Sequence, residues 1–204
     1  MSVLVMGDRR TNAEAIRDCF ALGYLRADDL ILDATYGLGR FWTLVPDVPI
    51  IAADLYVRGE ARTGAPIHPW DFTDTGQHDR TYDAVVFDPP YKLNGTSTGK
   101  GAASCDESYG VHMPATWRER HDLIRSGITE CARISRRTLL IKCQDQVCSG
   151  RKRWQTREFA DHAEAQGFRL ADQLHVSGFR PQPPGRRQVH AQQDYSTLLV
   201  LERA

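Results

Sequence analysis

Residues 82–91, Tyr-Asp-Ala-Val-Val-Phe-Asp-Pro-Pro-Tyr, put an acid, two prolines and an aromatic ring at the end of an apolar run. Val85, Val86 and Phe87 predict a buried strand of a parallel sheet. Pro89 biases Asp88 away from helical angles, Pro90 does the same to Pro89, and neither proline has an N–H to donate. The expected product is a stiff, extended tip at the carboxyl end of a strand, where open α/β sheets bind ligands. No following helix can occupy its carbonyls. A planar amino group suits such a tip, because one hydrogen can go to the Asp88 carboxylate and the other to the Pro89 carbonyl. The nitrogen lone pair is then drawn out of conjugation and faces an electrophile, while Tyr91 stacks on the ring that carries the amine. A proline-ended strand with a surface acid and a packing tyrosine would read the same, so the tip has to be weighed with the rest of the chain.

Asp88-Pro89-Pro90-Tyr91 is similar to the motif of methyltransferases that transfer a methyl group from S-adenosylmethionine (SAM) to an amino group, and the chain resembles that family here. The resemblance implies catalytic roles for Asp88, Pro89, Pro90 and Tyr91. Within the family the acid implies adenine N6, most readily in DNA, since cytosine-N4 enzymes more often carry Ser there and glutamine-N5 enzymes Asn. Some guanine-N2 enzymes acting on structural RNA share the four residues, so an RNA base stays open as the alternative acceptor.

Upstream, residues 30–42 (Leu-Ile-Leu-Asp-Ala-Thr-Tyr-Gly-Leu-Gly-Arg-Phe-Trp) predict a buried strand, a loop with two glycines and then a helical stretch. Glycine lets the backbone turn tightly and approach a ligand, and a following helix would offer N–H groups to an anion. Trp42 stands where the dinucleotide-binding Gly-x-Gly-x-x-Gly pattern needs its third glycine. Ile50–Asp54 predicts a second strand ending in an acid, and Asp54 at that tip is placed to accept both hydroxyls of a ribose. The spacing Asp33-x-x-x-Gly37-x-Gly39 is similar to the SAM-binding loop. That resemblance implies Asp33 beside the cofactor's amino acid group, with Thr35, Gly37 and Gly39 along the same loop. It also implies that Asp71, in Trp70-Asp71-Phe72, contacts the adenine amino group of SAM.

These sites need elements to hold them. Thr11–Leu22 predicts a capped helix, with Gly23 as its stop. In the resembled family such a segment often closes over the methionine end of SAM; an ordinary capped helix reads identically. Trp117–Ile134 has helical spacing, Thr138–Cys143 predicts a buried strand, Phe159–Gln166 a helix stopped by Gly167, and Phe168–Val176 and Ser196–Glu202 two strands. Alternating strands and helices imply a parallel sheet covered on both faces, and a terminal pair without a helix between implies an antiparallel edge. The fold class expected is α/β, and the resemblance implies the seven-stranded, mostly parallel, doubly wound sheet of SAM methyltransferases. The length suits one domain over residues 1–204, and here the chain departs from the family's sequence-specific DNA enzymes, which generally add a target-recognition domain for which it has no room. Lys92–Pro114 is long and glycine-containing, which suggests a lid over a target base. Lys92, the basic turn Arg151-Lys152-Arg153 with Trp154, and Arg186-Arg187 in the segment Phe179–His190 are the candidates for holding phosphates while an aromatic stacks.

The 204 residues carry 26 basic and 26 acidic side chains, so a nucleic-acid partner would need a local patch. No apolar run approaches the ~20 residues of a membrane span and no signal-peptide pattern opens the chain. Five irregularly spaced cysteines favour reduced thiols in a cytoplasm. Cys143, Cys148 and His112 match no zinc spacing, so no metal is expected. The main expectation is therefore a SAM-dependent N-methyltransferase acting on nucleic acid. A binding module without turnover would not need the Asp88–Tyr91 tip, and a nucleotide-dependent oxidoreductase would leave it unexplained.

Overall fold

The structure, a computed structural model, describes residues 11–93, 114, 116–178, 189–191 and 193–204. Helix α1 (Asn12–Ala21) starts on a Thr11 capping box closed by Glu14, and the chain turns away at Gly23 with φ +82. Its apolar face, Ala13, Ala15, Ile16 and Cys19, is buried. Strands β1 (Ile31–Asp33), β2 (Ile50–Ala53), β3 (Ile67–His68) and β4 (Tyr82–Phe87) follow, then helix α2 (Trp117–Ile134), capped by Thr116 and Glu119. Strand β5 (Ser135–Cys143) leads directly into a small hairpin of β6 (Gln146–Cys148) and β7 (Arg151–Arg153). Helix α3 (Gln155–Ala165) and strands β8 (Phe168–Ser177) and β9 (Tyr195–Arg203) complete the order.

The main sheet has seven strands in the order β3-β2-β1-β4-β5-β9-β8. The first five are parallel; β9 inserts antiparallel between β5 and β8. A parallel sheet needs cover on both faces, and two clusters supply it. On one face α2 and α3 bury Ile124, Ile128 and Phe159 against Val85, Phe87, Leu139 and Ile141. On the other, α1 packs Ile16 and Cys19 with Phe41 and Trp42 against Ile31, Val86 and Leu140. A Cβ at Gly127 would fall 2.6 Å from Phe87 and 2.7 Å from Phe72, so this glycine is what lets α2 lie flat against the end of β4.

The sequence expectations hold for α1, α2, the two final strands and the antiparallel edge. Elsewhere the structure differs. After the glycine loop there is only a three-residue 3-10 turn, Arg40–Trp42, in place of the expected helical stretch. Val45, Pro46, Val48 and Pro49 follow within a few residues, and branched residues with prolines cannot carry a helix before β2 must begin. A two-residue strand, β3, forms within the Gly- and Pro-containing connection that follows β2. The basic turn is the second strand of a hairpin, reversed by Ser149 (φ 52) and Gly150 (φ 73). Helix α3 begins at Gln155, one turn before its first apolar anchor. Among the described residues no helix is long and apolar enough to cross a membrane.

Candidate active site

Strand β1 is flanked by β2 on one side and β4 on the other, so connections leave it in opposite directions and a crevice opens at the carboxyl ends of these strands. The residues after β1 are stitched to both neighbours: Ala34 N–H donates to the Val86 carbonyl and Tyr36 N–H to the Ala53 carbonyl, each at 2.9 Å. Gly37 N–H donates to Asp54 Oδ2 at 2.8 Å, and Tyr56 N–H donates to Asp54 Oδ1 at 3.0 Å. Gly39 sits at φ +65, where a Cβ would collide with the Tyr36 hydroxyl. Asp33 is buried, with Oδ2 accepting from Trp42 Nε1 at 2.7 Å and Oδ1 from Thr35 N–H at 3.1 Å. Asp33, Thr35, Gly37, Gly39 and Asp54 thus form one bonded loop across the tips of β1 and β2.

Thr35 joins that loop to the proline tip, because the Asp88 N–H donates to Thr35 Oγ1 at 2.7 Å. The tip lies beyond β4 in neither helix nor strand, and it turns where a straight run was expected. Tyr91 N–H donates to the Pro89 carbonyl at 2.7 Å, closing a tight turn over Pro90 and using one of that oxygen's two lone pairs. Three glutamines downstream then fix the chain as it leaves the tip. Gln146 Nε2 and Gln155 Nε2 both donate to the Tyr91 carbonyl at 2.8 Å, and Leu93 N–H donates to Gln146 Oε1 at 3.2 Å. Gln155 Oε1 in turn accepts from Gln144 N–H at 3.2 Å. Arg120 of α2, fully buried, donates to the Lys92 and Pro114 carbonyls, each at 2.9 Å, so one guanidinium clips both ends of the 93–114 segment. The expected lid itself, residues 94–113, lies outside the described residues.

Two carboxyls here are electrostatically perturbed. Burial pushes Asp33 up to about 7, against the Trp42 and Thr35 hydrogen bonds, and the charges of Asp88 and Asp54 add to the rise. Asp88 keeps some exposed surface, yet burial raises it too, while the ammonium groups of Lys142 and then Lys92 hold it down. Among the described residues Asp54 has two backbone N–H partners and no cation, which leaves its oxygens suited to accepting hydroxyl hydrogens. Asp71 stands apart. Its Oδ1 accepts from Thr73 N–H at 2.8 Å and Thr73 Oγ1 at 2.7 Å in a short exposed turn, beside the Trp70 ring stacked on His68 at 4.4 Å.

The hairpin brings Arg151, Lys152 and Arg153 to the same end of the sheet, since Gln146 of β6 is what holds Tyr91 and Leu93. Arg153 lies 3.7 Å over the Trp117 ring with Arg118 at 4.6 Å, and Lys152 lies 5.2 Å over Trp154, which is 57% exposed. His190 Nε2 meets the Gly150 carbonyl at 3.1 Å, docking residues 189–191 against this hairpin. Arg186 and Arg187 lie outside the described residues. The sequence reading missed Lys142, the three glutamines and Arg120. A lysine inside an apolar strand (Leu-Leu-Ile-Lys-Cys) and an amide pair immediately after it were the available signals.

No family model matches the chain, and no curated protein matches it. Solved structures do. The magnesium protoporphyrin IX methyltransferase of Synechocystis PCC 6803 with bound SAM is 16% identical at TM-score 0.58, over 95% of this chain and 78% of that one. The 1,6-didemethyltoxoflavin-N1-methyltransferase of Burkholderia thailandensis, with its substrate and S-adenosylhomocysteine, is 14% identical at TM-score 0.58, over 96% and 79%. A Pyrococcus horikoshii protein described as a candidate RNA methyltransferase is 12% identical at TM-score 0.55, over 94% and 83%. The chain has the fold of SAM-dependent methyltransferases.

Proposed function

We propose that this protein is a SAM-dependent methyltransferase of an exocyclic amino group, with adenine N6 in DNA as the acceptor. The observation that carries the reading is the Asp88-Pro89-Pro90-Tyr91 tip, bonded through Thr35 to the loop at the β1–β4 crevice. The residues present fit the cofactor: Asp54 accepts from two backbone N–H groups and can take ribose hydroxyls, Gly37 and Gly39 line the turn, and Asp71 offers a carboxylate for an amino group. Bound there, SAM supplies a methyl group on an electrophilic sulfonium.

The chain's own part is to place and polarise the amine. Asp88 would accept one amino hydrogen and the second lone pair of the Pro89 carbonyl the other, which leaves the nitrogen lone pair free to face an electrophile. The positive charge that would develop on the nitrogen as it gains a methyl group would be offset by the Asp88 carboxylate. The proton then leaves to Asp88 or water. Positioning of this kind is worth effective molarities of about 10⁵ M or more. A base in a duplex must first be flipped out at a few kcal/mol, and stacking on Tyr91 recovers part of that. Lys92 and the Arg151–Trp154 hairpin are the surface proposed to hold phosphates and a flanking base, with Arg186 and Arg187 added from the neighbouring segment.

The compact hairpin patch also favours a second reading, an RNA base as acceptor, in keeping with the printed description of the Pyrococcus neighbour. Transfer of labelled methyl from SAM to duplex DNA, single-stranded DNA, bulk tRNA and ribosomal RNA, followed by nucleoside mass spectrometry, tests both. N6-methyladenine in DNA is expected. Label confined to RNA replaces the acceptor and keeps the chemistry, and no label in any of the four overturns the nucleic-acid reading.

A further inference from the structure

Lys142 is the group in this crevice that the chemistry above leaves unused. It is the penultimate residue of β5 and only 6% exposed. Strand alternation sends Leu139, Ile141 and Cys143 toward α2 and α3, and Leu140 and Lys142 to the opposite face. On β4 the same alternation puts Ala84 and Val86, and Asp88 just beyond the strand, on that opposite face. Phe87 pairs with Ile141 in parallel register, so the next step sets Asp88 level with Lys142 on the neighbouring strand.

The surroundings of the ammonium are unusual for a buried cation. Nζ donates to Asn12 Oδ1 of α1 at 2.5 Å, and it lies 5.5 Å from the Phe41 ring centre and 5.8 Å from that of Tyr91. Among the described residues no carboxylate forms an ion pair with it. A buried charge is costly unless compensated, and its compensation here is one amide oxygen, two aromatic faces and the field of Asp88. Among the described residues the other titratable groups near Asp88 are Asp33 from β1, Lys92 from the segment after the tip and, from the opposite face of β5, the Cys143 thiol; α1 contributes neutral Asn12 and the 3-10 turn Phe41 and Trp42. Asp88 therefore has a carboxyl on its β1 side and an ammonium on its β5 side.

We propose that Lys142 is a positioning residue for methyl transfer, which from the adjacent strand keeps Asp88 in the carboxylate form that accepts the amino hydrogen and so sets the lower pH limit of the reaction. This rests on the role given to Asp88 above. Burial raises the Asp88 pKa, and Lys142 is the foremost charge opposing that rise. Removing the cation should then let Asp88 keep its proton to higher pH, and the protonated acid is a donor where the amine needs an acceptor.

The decisive measurement is a carbon-13 NMR titration of the Asp88 carboxyl, assigned with Asp88→Asn, in the wild type and in Lys142→Met and Lys142→Arg. The Met variant should raise the Asp88 midpoint by about one pH unit or more, the range an adjacent opposite charge produces, with Arg close to wild type. Asn12→Asp supplies a variant that keeps the lysine and its packing and sets a competing carboxylate on the ammonium; it should also raise the midpoint. An unmoved midpoint in Lys142→Met or in Asn12→Asp, or equal movement in Met and Arg, overturns the proposal. With an active acceptor, the acid limb of kcat/KM should move up in step with the midpoint while SAM affinity stays within about twofold. The titration needs no acceptor, so failure of methyl transfer would count against the proposed function alone.

Discussion

At Tyr91 the ring and the hydroxyl make separable contributions. The ring is partly buried against the α2/α3 core and lies near the Lys142 ammonium, whereas stacking on a base needs only its π-face. Tyr91→Phe should keep kcat/KM within about threefold, and Tyr91→Ala should lose about tenfold to a hundredfold, the worth of one base stack at 1–3 kcal/mol. Equal losses in the two variants would transfer the role to the hydroxyl. Asp88→Ala removes the acceptor for the amino hydrogen and the charge that offsets the developing cation. It should lower turnover by about a thousandfold or more while SAM still binds, because the contacts proposed for the ribose and the loop lie at the ends of β1 and β2. A mutant that methylates at near wild-type rates would remove Asp88 from the mechanism.

At the level of elements, the tip is held from behind by a β6–β7 hairpin and by the first turn of α3. Gln155 donates to the Tyr91 carbonyl and to His121 Nε2 at 3.3 Å, and accepts from Gln144. His121 is itself paired with Glu158 at 2.8 Å. Gln155→Leu keeps the volume and removes every polar bond. It should destabilise the fold by about 1–3 kcal/mol through the stranded Gln144 N–H and His121 Nε2, since Gln146 still donates to the Tyr91 carbonyl. A loose tip misaligns the amine, so kcat should fall by more than tenfold with the SAM dissociation constant unchanged, which calorimetry and single-turnover rates would separate. Full activity in this variant would mean that the prolines alone hold the tip.

For the whole molecule the perturbed carboxyls make stability depend on pH. Asp33 and Asp88 both bind protons more tightly folded than unfolded. Between about pH 4 and pH 7 the folded chain therefore retains protons that the unfolded chain releases, and stability falls as pH rises. Asp83, lowered first by the Leu30 N–H, and Glu130 and Glu158, where hydrogen bonds and arginines outweigh burial, act in the opposite sense at the acid end of that window and below it. With Asp33 at about 7, raising the pH from 5 to 7 should cost about 2 kcal/mol, or about 5 °C in Tm. Asp33→Asn should flatten that slope, and a wild-type Tm independent of pH across this window would refute the assignment.

The sequence by itself determined the local elements and the tip. Capping boxes at Thr11 and Thr116, glycine stops, apolar runs and the Asp-Pro-Pro-Tyr stretch are set by backbone sterics and short-range hydrogen bonds, which act between near neighbours in the chain. The glycine loop and Asp54 were legible for the same reason, as a turn and a strand end. The helix expected after Gly39 was not realised, because the prolines before β2 and the need to bury Phe41 and Trp42 together outweighed its apolar content. What only the tertiary structure decided is which distant groups meet. Strand order sets β5 beside β4, and register sets Lys142 beside Asp88, 54 positions on. Hydrogen bonds across 55 and 64 positions bring Gln146 and Gln155 to Tyr91. Such contacts follow from sheet pairing and helix packing, which depend on burying the two apolar faces at once, and no local pattern in the chain encodes them.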